Sequence, residues 1–399
     1  MKRLSAISLL ALCISTSVHS QLGFSIPADS GKVEIPFERS NNLIIIPVTI
    51  NKKVTLKFIL DSSVEYSILS QKSIGDELGL NYLRKIRLGS TNGVTNFGYS
   101  ANGAQLSLGA ASTGTNHSMV VLETDFMNLS NAARTPVDGV IGYDLFGAFV
   151  VEIDYSDDMI ILHPRSSFEP PRGYDEVPLD VVARKAYLPA DIVFENWDEE
   201  TKKFQIKTGA THTVLFNSDS NLFHLPARKL EIPLGMGPSG PVEGYVGRVR
   251  ELRIGDDEFE NVIASFTKSE VGKSNETGSI GMGILSRFDM FLDYQGSRIY
   301  IKRNREFTNS FEYDLSGMRV DAESENTFRV THIVSDSPAA KAGVQVGDRV
   351  VSVQGEILTK DNLNELLRIF LEKEGKRVKM EVERRGEIKS VSFTLARLI

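Results

Sequence analysis

This chain repeats part of itself, and that restricts its fold more than any other feature. The segment Phe58-Ile59-Leu60-Asp61-Ser62-Ser63-Val64-Glu65-Tyr66-Ser67-Ile68-Leu69, displaced by 146 residues, falls on Phe204-Gln205-Ile206-Lys207-Thr208-Gly209-Ala210-Thr211-His212-Thr213-Val214-Leu215. Apolar positions meet apolar positions, and small polar positions mostly meet small polar ones. The same displacement pairs Ile86, Leu88 and Gly89 with Ile232, Leu234 and Gly235, and Leu106, Leu108 and Gly109 with Leu252, Ile254 and Gly255. Farther on the displacement becomes 139: Ile141-Gly142 meets Ile280-Gly281, Phe149 meets Phe288, Asp154-Tyr155 meets Asp293-Tyr294, and Ile160 meets Ile299. Chance alternation of strands does not hold two constant displacements, so one structural unit is expected twice, with a longer loop in the first copy.

Each copy reads as β structure. Val48-Thr49-Ile50 and Val54-Thr55-Leu56 flank Asn51-Lys52-Lys53, a hairpin pattern. Ile153-Asp154-Tyr155 with Ile160-Ile161-Leu162, and Leu292-Asp293-Tyr294 with Ile299-Tyr300-Ile301, predict two more. Helix is scarce; residues 70 to 79 are the best short candidate. Between the copies, residues 166–178 contain Pro170-Pro171-Arg172-Gly173 and read as a linker.

The repeated motif resembles the bilobed, single-chain form of the retropepsin-like aspartic peptidases. In that family each lobe has an apolar strand ending in Asp-Thr/Ser-Gly, and later a strand of two apolar residues and Gly beside it. Here the first copy has Asp61-Ser62-Ser63 and then Val140-Ile141-Gly142; the second has Lys207-Thr208-Gly209 and then Ser279-Ile280-Gly281. Glycine-bearing stretches at 89–103 and 235–247 fall where the family has flap hairpins. The resemblance covers roughly residues 40–303. It implies a mainly β, two-lobed, pepsin-like acid-protease fold made by internal duplication, with lobes at 32–165 and 179–305.

The resemblance also locates the chemistry and its departure from the family. Two carboxylates held together share a proton, so one accepts a proton from water while the other donates one. Ser63 stands where Gly is expected, and Lys207 stands where the second Asp is expected. If Lys207 faces Asp61 at about 4 Å, their attraction is roughly 4 kcal/mol at an effective dielectric near 20, and both stay charged. Three readings remain open. The cleft is a degenerate peptidase that binds polypeptide; or Asp61 still acts as base with Lys207 as partner; or another carboxylate, such as Asp219 or Glu195, enters the site. The active-loop residues implied are Asp61, Lys207, Ser62, Ser63, Thr208, Gly209, Gly142 and Gly281.

After Arg305 the pattern changes. Phe328 to Val334 alternates as a strand, Ser337-Pro338-Ala339-Ala340-Lys341-Ala342-Gly343-Val344 reads as a short helix closed by Gly343, and Gly347-Asp348 opens another strand. Residues 361 to 373 read as an amphipathic helix capped by Asp361 or Thr359. This order resembles the PDZ domains of exported bacterial proteases, an α+β domain over 311–399. Such domains take an extended peptide beside an exposed strand, usually with its C-terminal carboxylate on backbone N–H groups. The resemblance places that loop at Ser316, Gly317, Met318, Arg319 and Val320, and the groove wall at Leu363 and Leu367. The partners implied are polypeptides or protein C-termini, or another domain.

The N-terminus reads as an export signal over 1–20. Lys2 and Arg3 precede a mostly apolar run from Leu4 to Val18, with Val18 and Ser20 before a cut at Gln21. The run is shorter than the about 20 residues that span a bilayer, so no membrane span is expected after cleavage. A periplasmic or extracellular location follows. The single cysteine, Cys13, lies inside the signal behind Leu12, a poor lipoprotein context. The mature chain then has no thiol, no disulfide and no cysteine metal site. His117, His163, His212, His224 and His332 are scattered, so neither metal nor cofactor is expected. A formal charge of −7 without a dense basic block argues against nucleic acid as a partner.

Overall fold

A computed structural model describes residues 23–27, 30–91, 94–217, 225–237, 240–268, 277–324 and 326–399. The expected export signal lies outside these residues. The chain is mainly β, and four sheets account for the strands described.

In the first sheet, Val54–Leu60 lies between Leu43–Ile50, antiparallel, and Gly139–Ile141, parallel, with Phe58, Ile59 and Leu60 opposite Gly139, Val140 and Ile141. In the second, Glu199–Ile206 lies between Lys185–Val193, antiparallel, and Gly278–Ile280, parallel, with Gln205 and Ile206 opposite Ser279 and Ile280. The ends of both long strands, Phe58-Ile59-Leu60 and Phe204-Gln205-Ile206, are buried on both faces. A strand covered on both sides reads as a continuous run rather than an alternation. Each run delivers the next residue, Asp61 or Lys207, to the end of its sheet.

A six-stranded sheet joins the halves. Its centre is the antiparallel pair Phe149–Asp154 and Phe288–Asp293, with Val151 opposite Leu292. Val151, Ile153, Met290 and Leu292 point into the main core, which also takes Phe58, Phe146, Phe204 and Phe216. The other face carries Val150, Phe291 and Tyr300, and Phe168 and Tyr174 pack onto it. Their ring centroids lie 5.8 Å and 5.1 Å from that of Phe291.

That packing revises the reading of 166–178 as a bare linker. Phe168 and Tyr174 anchor the segment, and Asp175–Pro178 pairs with Arg298 to Ile301 as an edge strand. Only the Pro-Pro-Arg-Gly stretch behaves as the composition suggested. Pro178 ends an edge strand, where its missing N–H leaves no ladder bond unmade.

Two long hairpins occupy the expected flap positions: Asn81–Thr91 with Val94–Ala104, and Lys229–Gly237 with Gly240–Ile254. Residues 92–93 and 238–239 at their turns lie outside the described set. The helix expected over 70–79 is Lys72–Leu78, closed by Gly79 at φ 71.

Beyond residue 311 a further sheet runs in the order Met318–Ser324, Thr327–Ile333, Arg349–Val353, Arg377–Arg384, Glu387–Thr394. It has its own core, with Leu315, Phe328, Val350, Phe370, Val378 and Phe393. Ser337 caps the helix Pro338–Lys341 through a bond from the Ala340 N–H, at 3.3 Å. The second helix, Leu363–Arg368, is shorter than the expected 361–373, and neither Asp361 nor Thr359 caps it. Asn362 stands at the cap, and its side chain is spent on a turn, accepting from the Thr359 N–H at 2.8 Å and donating to the Ile357 carbonyl at 2.8 Å.

Candidate functional site

The backbones at residues 61 and 207 make the same pair of bonds. The Asp61 N–H donates to the Ile141 carbonyl at 2.8 Å, and the Lys207 N–H to the Ile280 carbonyl at 2.9 Å. Each chain then turns: the Val64 N–H reaches the Asp61 carbonyl at 3.2 Å, and the Ala210 N–H the Lys207 carbonyl at 3.3 Å. Gly142 and Gly281 lie against these turns. A Cβ on Gly142 would sit 2.1 Å from the Asp61 carbonyl oxygen, and one on Gly281 2.3 Å from that of His212. No side chain fits at either place, which accounts for a glycine after each apolar pair.

Ser62 and Thr208 lock the two turns together, and both are fully buried. The Thr208 hydroxyl donates to the Leu60 carbonyl at 2.8 Å and accepts from the Ser62 N–H at 2.9 Å. The Ser62 hydroxyl donates to the Ile206 carbonyl at 2.8 Å and accepts from the Thr208 N–H at 3.1 Å. Four reciprocal bonds thus cross between segments 146 residues apart, in a site where an unmade bond is expensive. Tyr294 adds a fifth, donating to the Ser62 carbonyl at 2.9 Å. Burial pushes its hydroxyl well above the ordinary tyrosine range, and the nearby Asp61 charge adds to the shift, so Tyr294 is a fixed donor. The sequence marks Tyr294 as a repeat partner of Tyr155 and a hairpin residue, and not as a donor to this site.

Asp61 Oδ1 accepts from the Ser63 N–H at 2.8 Å and the Ser63 hydroxyl at 2.7 Å. Its other side lies against the second turn: a Cβ on Gly209 would stand 2.4 Å from Asp61 Oδ2. The two turns therefore meet at this carboxylate. Among the described residues, however, the ion pairs closer than 4.0 Å do not include Asp61 with Lys207. The sequence expected direct attraction; in the structure Ser63, not Lys207, engages the carboxylate, and Lys207 has contacts of its own. The Lys207 charge is felt by His212. Burial first, and Lys207 second, push that imidazole down to about 3, and it stays neutral beside the Ser279 hydroxyl at 3.0 Å.

Of the other carboxylates weighed from sequence, Asp219 lies outside the described residues. Glu195 accepts from the Ala227 N–H at 2.9 Å and lines a cavity of about 390 Å³ with Arg248, Arg250, Glu251 and Glu260. That cavity includes none of the loop residues around Asp61. Among the described residues no group of three His, Cys, Asp or Glu side chains is arranged to hold a metal, and no helix is long and apolar enough to cross a membrane.

In the C-terminal domain the loop expected to receive a carboxylate already faces one. Asp314 Oδ1 accepts from the Ser316 N–H at 2.9 Å, the Ser316 hydroxyl at 2.6 Å and the Gly317 N–H at 2.7 Å. The Met318 N–H turns to the Ser316 hydroxyl at 3.2 Å. Met318 and Val320 are buried in the domain core, and so are Leu363 and Leu367; Arg319 is exposed and pairs with Asp321 at 3.0 Å. Leu363 and Leu367 therefore face the core, and the helix shows Asn364 and Arg368 outward instead. Sequence reading missed Asp314, although an acid two residues before a Ser-Gly turn is a recognised turn former.

Burial pushes the Asp314 carboxyl up to about 6, against its bonds to Ser316 and Gly317 and the Arg134 charge. Because the folded value lies above the unfolded one, the folded chain binds the extra proton and stability rises as pH falls through the window from about 6 to 4. We predict that this rise, about 1–3 kcal/mol after allowing for partial exposure, is missing from Asp314→Asn. Thermal melts of both proteins at pH 4.5 and 7 check it; parallel profiles would contradict it.

Comparison with known proteins agrees with this geometry. A family model described as "Aspartyl protease" matches residues 46–145 and 193–284, and a PDZ domain model matches 329–384. Among curated proteins, a probable CtpA-like serine protease of Staphylococcus haemolyticus is 28% identical over 133 residues, covering 32% of this chain and 25% of the relative. The carboxy-terminal processing protease CtpB of Bacillus subtilis is 28% identical over 94 residues, covering 23% and 20%. The chain thus spans about a quarter or less of these relatives.

Proposed function

We propose, for a chain that carries an aspartyl-protease-type region followed by a PDZ domain, that it is an exported polypeptide-binding protein whose two-acid hydrolytic centre has been dismantled. The matched backbone bonds of Asp61 and Lys207 carry this reading: the position that should supply the second acid supplies an ammonium group. A lone carboxylate leaves no neutral acid to protonate the leaving amine.

The same bonds support an origin by duplication, with lobes at 32–165 and 179–305 and the PDZ part at 311–399. So does a charge-swapped pair beside the hairpins. Lys85 pairs with Glu123 beside Tyr99, and at the corresponding place Glu231 pairs with Lys268 beside Tyr245. The charged n-region and short apolar run of residues 1–20 support export to a periplasmic or extracellular site.

The duplication also links the two departures from the family. Residue 63 relates to 207 as Gly209 relates to Asp61. Since a Cβ at 209 would press on the Asp61 carboxyl at 2.4 Å, the Ser63 Cβ takes the space that an aspartate at 207 would need. Glycine-to-serine and aspartate-to-lysine are then one change made in two places.

A second reading keeps Asp61 as a general base with Lys207 as its partner. The Ser63 bonds support it only in so far as they fix the orientation of the Asp61 carboxylate. Binding is tested first: fluorescently labelled, unfolded casein should bind the full chain saturably at neutral pH and be recovered intact. Linear, non-saturating polarisation would overturn the binding reading.

A further inference from the structure

The PDZ loop that should receive a ligand C-terminus has no donor to spare. Gly317 stands at φ 74, and a Cβ there would lie 2.2 Å from that of Ser337. A left-handed residue at such a turn aims successive N–H groups at one spot, a concavity suited to an anion. The anion is already present: Asp314 Oδ1 accepts from the Ser316 and Gly317 N–H groups and from the Ser316 hydroxyl. The Met318 N–H goes to the Ser316 hydroxyl, and the Leu315 N–H to the Phe370 carbonyl at 2.9 Å. The carbonyls are spent as well. Leu315 accepts from the Ala396 N–H at 3.2 Å, Ser316 from that of Ala339 at 3.0 Å, and Gly317 from that of Val334 at 2.8 Å. The loop is thus fixed to several segments of its own domain.

A C-terminal carboxylate from outside would have to displace Asp314. It would compete with a carboxylate tethered beside the same amides, whose effective concentration is roughly millimolar or above. Both could not stay, because like charges at one site repel, and the displaced Asp314 would lose three charge-assisted bonds. The neighbouring strand offers no substitute, since its one cation, Arg319, pairs with Asp321 at 3.0 Å. What remains open to a ligand is main chain. Met318–Ser324 is the outermost strand of its sheet and has a ladder partner on one side only, Thr327–Ile333. An extended segment adds to such an edge through backbone bonds, wherever in a polypeptide that segment lies.

We infer that Asp314 serves as a built-in ligand carboxylate, and that the PDZ domain takes an internal, extended stretch of polypeptide along Met318–Ser324 in place of a free C-terminus. The inference rests on the polypeptide-binding reading, but on the edge strand and not on the cleft at Asp61.

The test uses the full chain at pH 7 and a peptide library in which each sequence appears once with a free C-terminal carboxylate and once as the amide. Wild type should bind the two forms of its best sequences equally, and the bound peptide should protect the amides of residues 318–324 from exchange. Asp314→Ala frees the Ser316 and Gly317 amides and should favour the acid form at least about ten-fold, the size of a hydrogen bond to a charged group. Asp314→Asn keeps an acceptor oxygen on those amides and should stay indifferent. A ten-fold preference of wild type for the acid form would overturn the inference, and needs no variant to be seen. So would indifference in a folded Asp314→Ala, an acid preference in Asp314→Asn equal to that of Asp314→Ala, or binding without protection at 318–324. If casein binds and no library peptide does, this inference alone falls; if neither binds, the binding reading falls with it.

Discussion

Lys207→Asp combined with Ser63→Gly is expected to yield an acid-active endopeptidase, and Lys207→Asp alone is not. The loops around Asp61 and Lys207 are already braced. The turns are locked by Ser62 and Thr208, Gly209 lies against Asp61, and Gly142 and Gly281 brace the backbones. A second acid at 207 would share a proton with Asp61, restoring a base for water and an acid for the leaving amine. Positioned proton transfer contributes roughly 10²–10⁴-fold in rate, so hydrolysis of a quenched casein substrate at pH 3–5 should rise at least ~100-fold over the parent. The single variant should stay near the parent, because the Ser63 Cβ crowds the new carboxyl. Equal activity in single and double variants would remove the steric link between 63 and 207. A folded double variant without activity would mean that residue 207 is not the second-acid position.

The second large effect concerns stability. Thr208→Val keeps the shape of the side chain but strands the buried Ser62 N–H and Leu60 carbonyl. Leaving buried polar groups unpaired costs about 1–3 kcal/mol each, so the loss should be roughly 2–5 kcal/mol, against the ordinary change of about 0.5 kcal/mol for a surface site. Thr55→Val is the matched control, since the hydroxyl of the exposed Thr55 meets that of Thr49 at 2.8 Å. Urea unfolding followed by tryptophan and tyrosine fluorescence would separate the two. A Thr208→Val midpoint no lower than that of Thr55→Val would show that the reciprocal bonds do not hold the turns together.

Part of this architecture was legible because Phe58-Ile59-Leu60 is a continuous apolar run followed by a small polar turn, as a strand buried on both faces is. Phe204-Gln205-Ile206 carries a buried polar residue and is legible through the repeat. Ser62 and Thr208 could be named because the resemblance assigns the residue after each acid to tie the loops. Ser63 could not be given its role: a serine in a glycine position reads as a departure, and only coordinates show its hydroxyl on Asp61. Asp314 was missed for a related reason. The loop's amides are of the kind that welcome a foreign carboxylate, and short-range sequence does not reveal that one from the same chain has taken them. The segment 166–178 misled because Pro and Gly dominate its composition, while Phe168 and Tyr174, two aromatic rings, decide where it lies. Leu363 and Leu367 follow helical spacing, which marks a buried face but not what lies on its other side.

Cleavage itself tests the central claim most directly. Unfolded casein is incubated with the full chain and with Asp61→Asn from pH 3 to 8, and new N-termini are counted by mass spectrometry. If an ammonium stands where the second acid should be, both proteins give only the background of a protein-free control. New termini produced by the wild-type chain and absent with Asp61→Asn would contradict it, and would establish Asp61 as a working base.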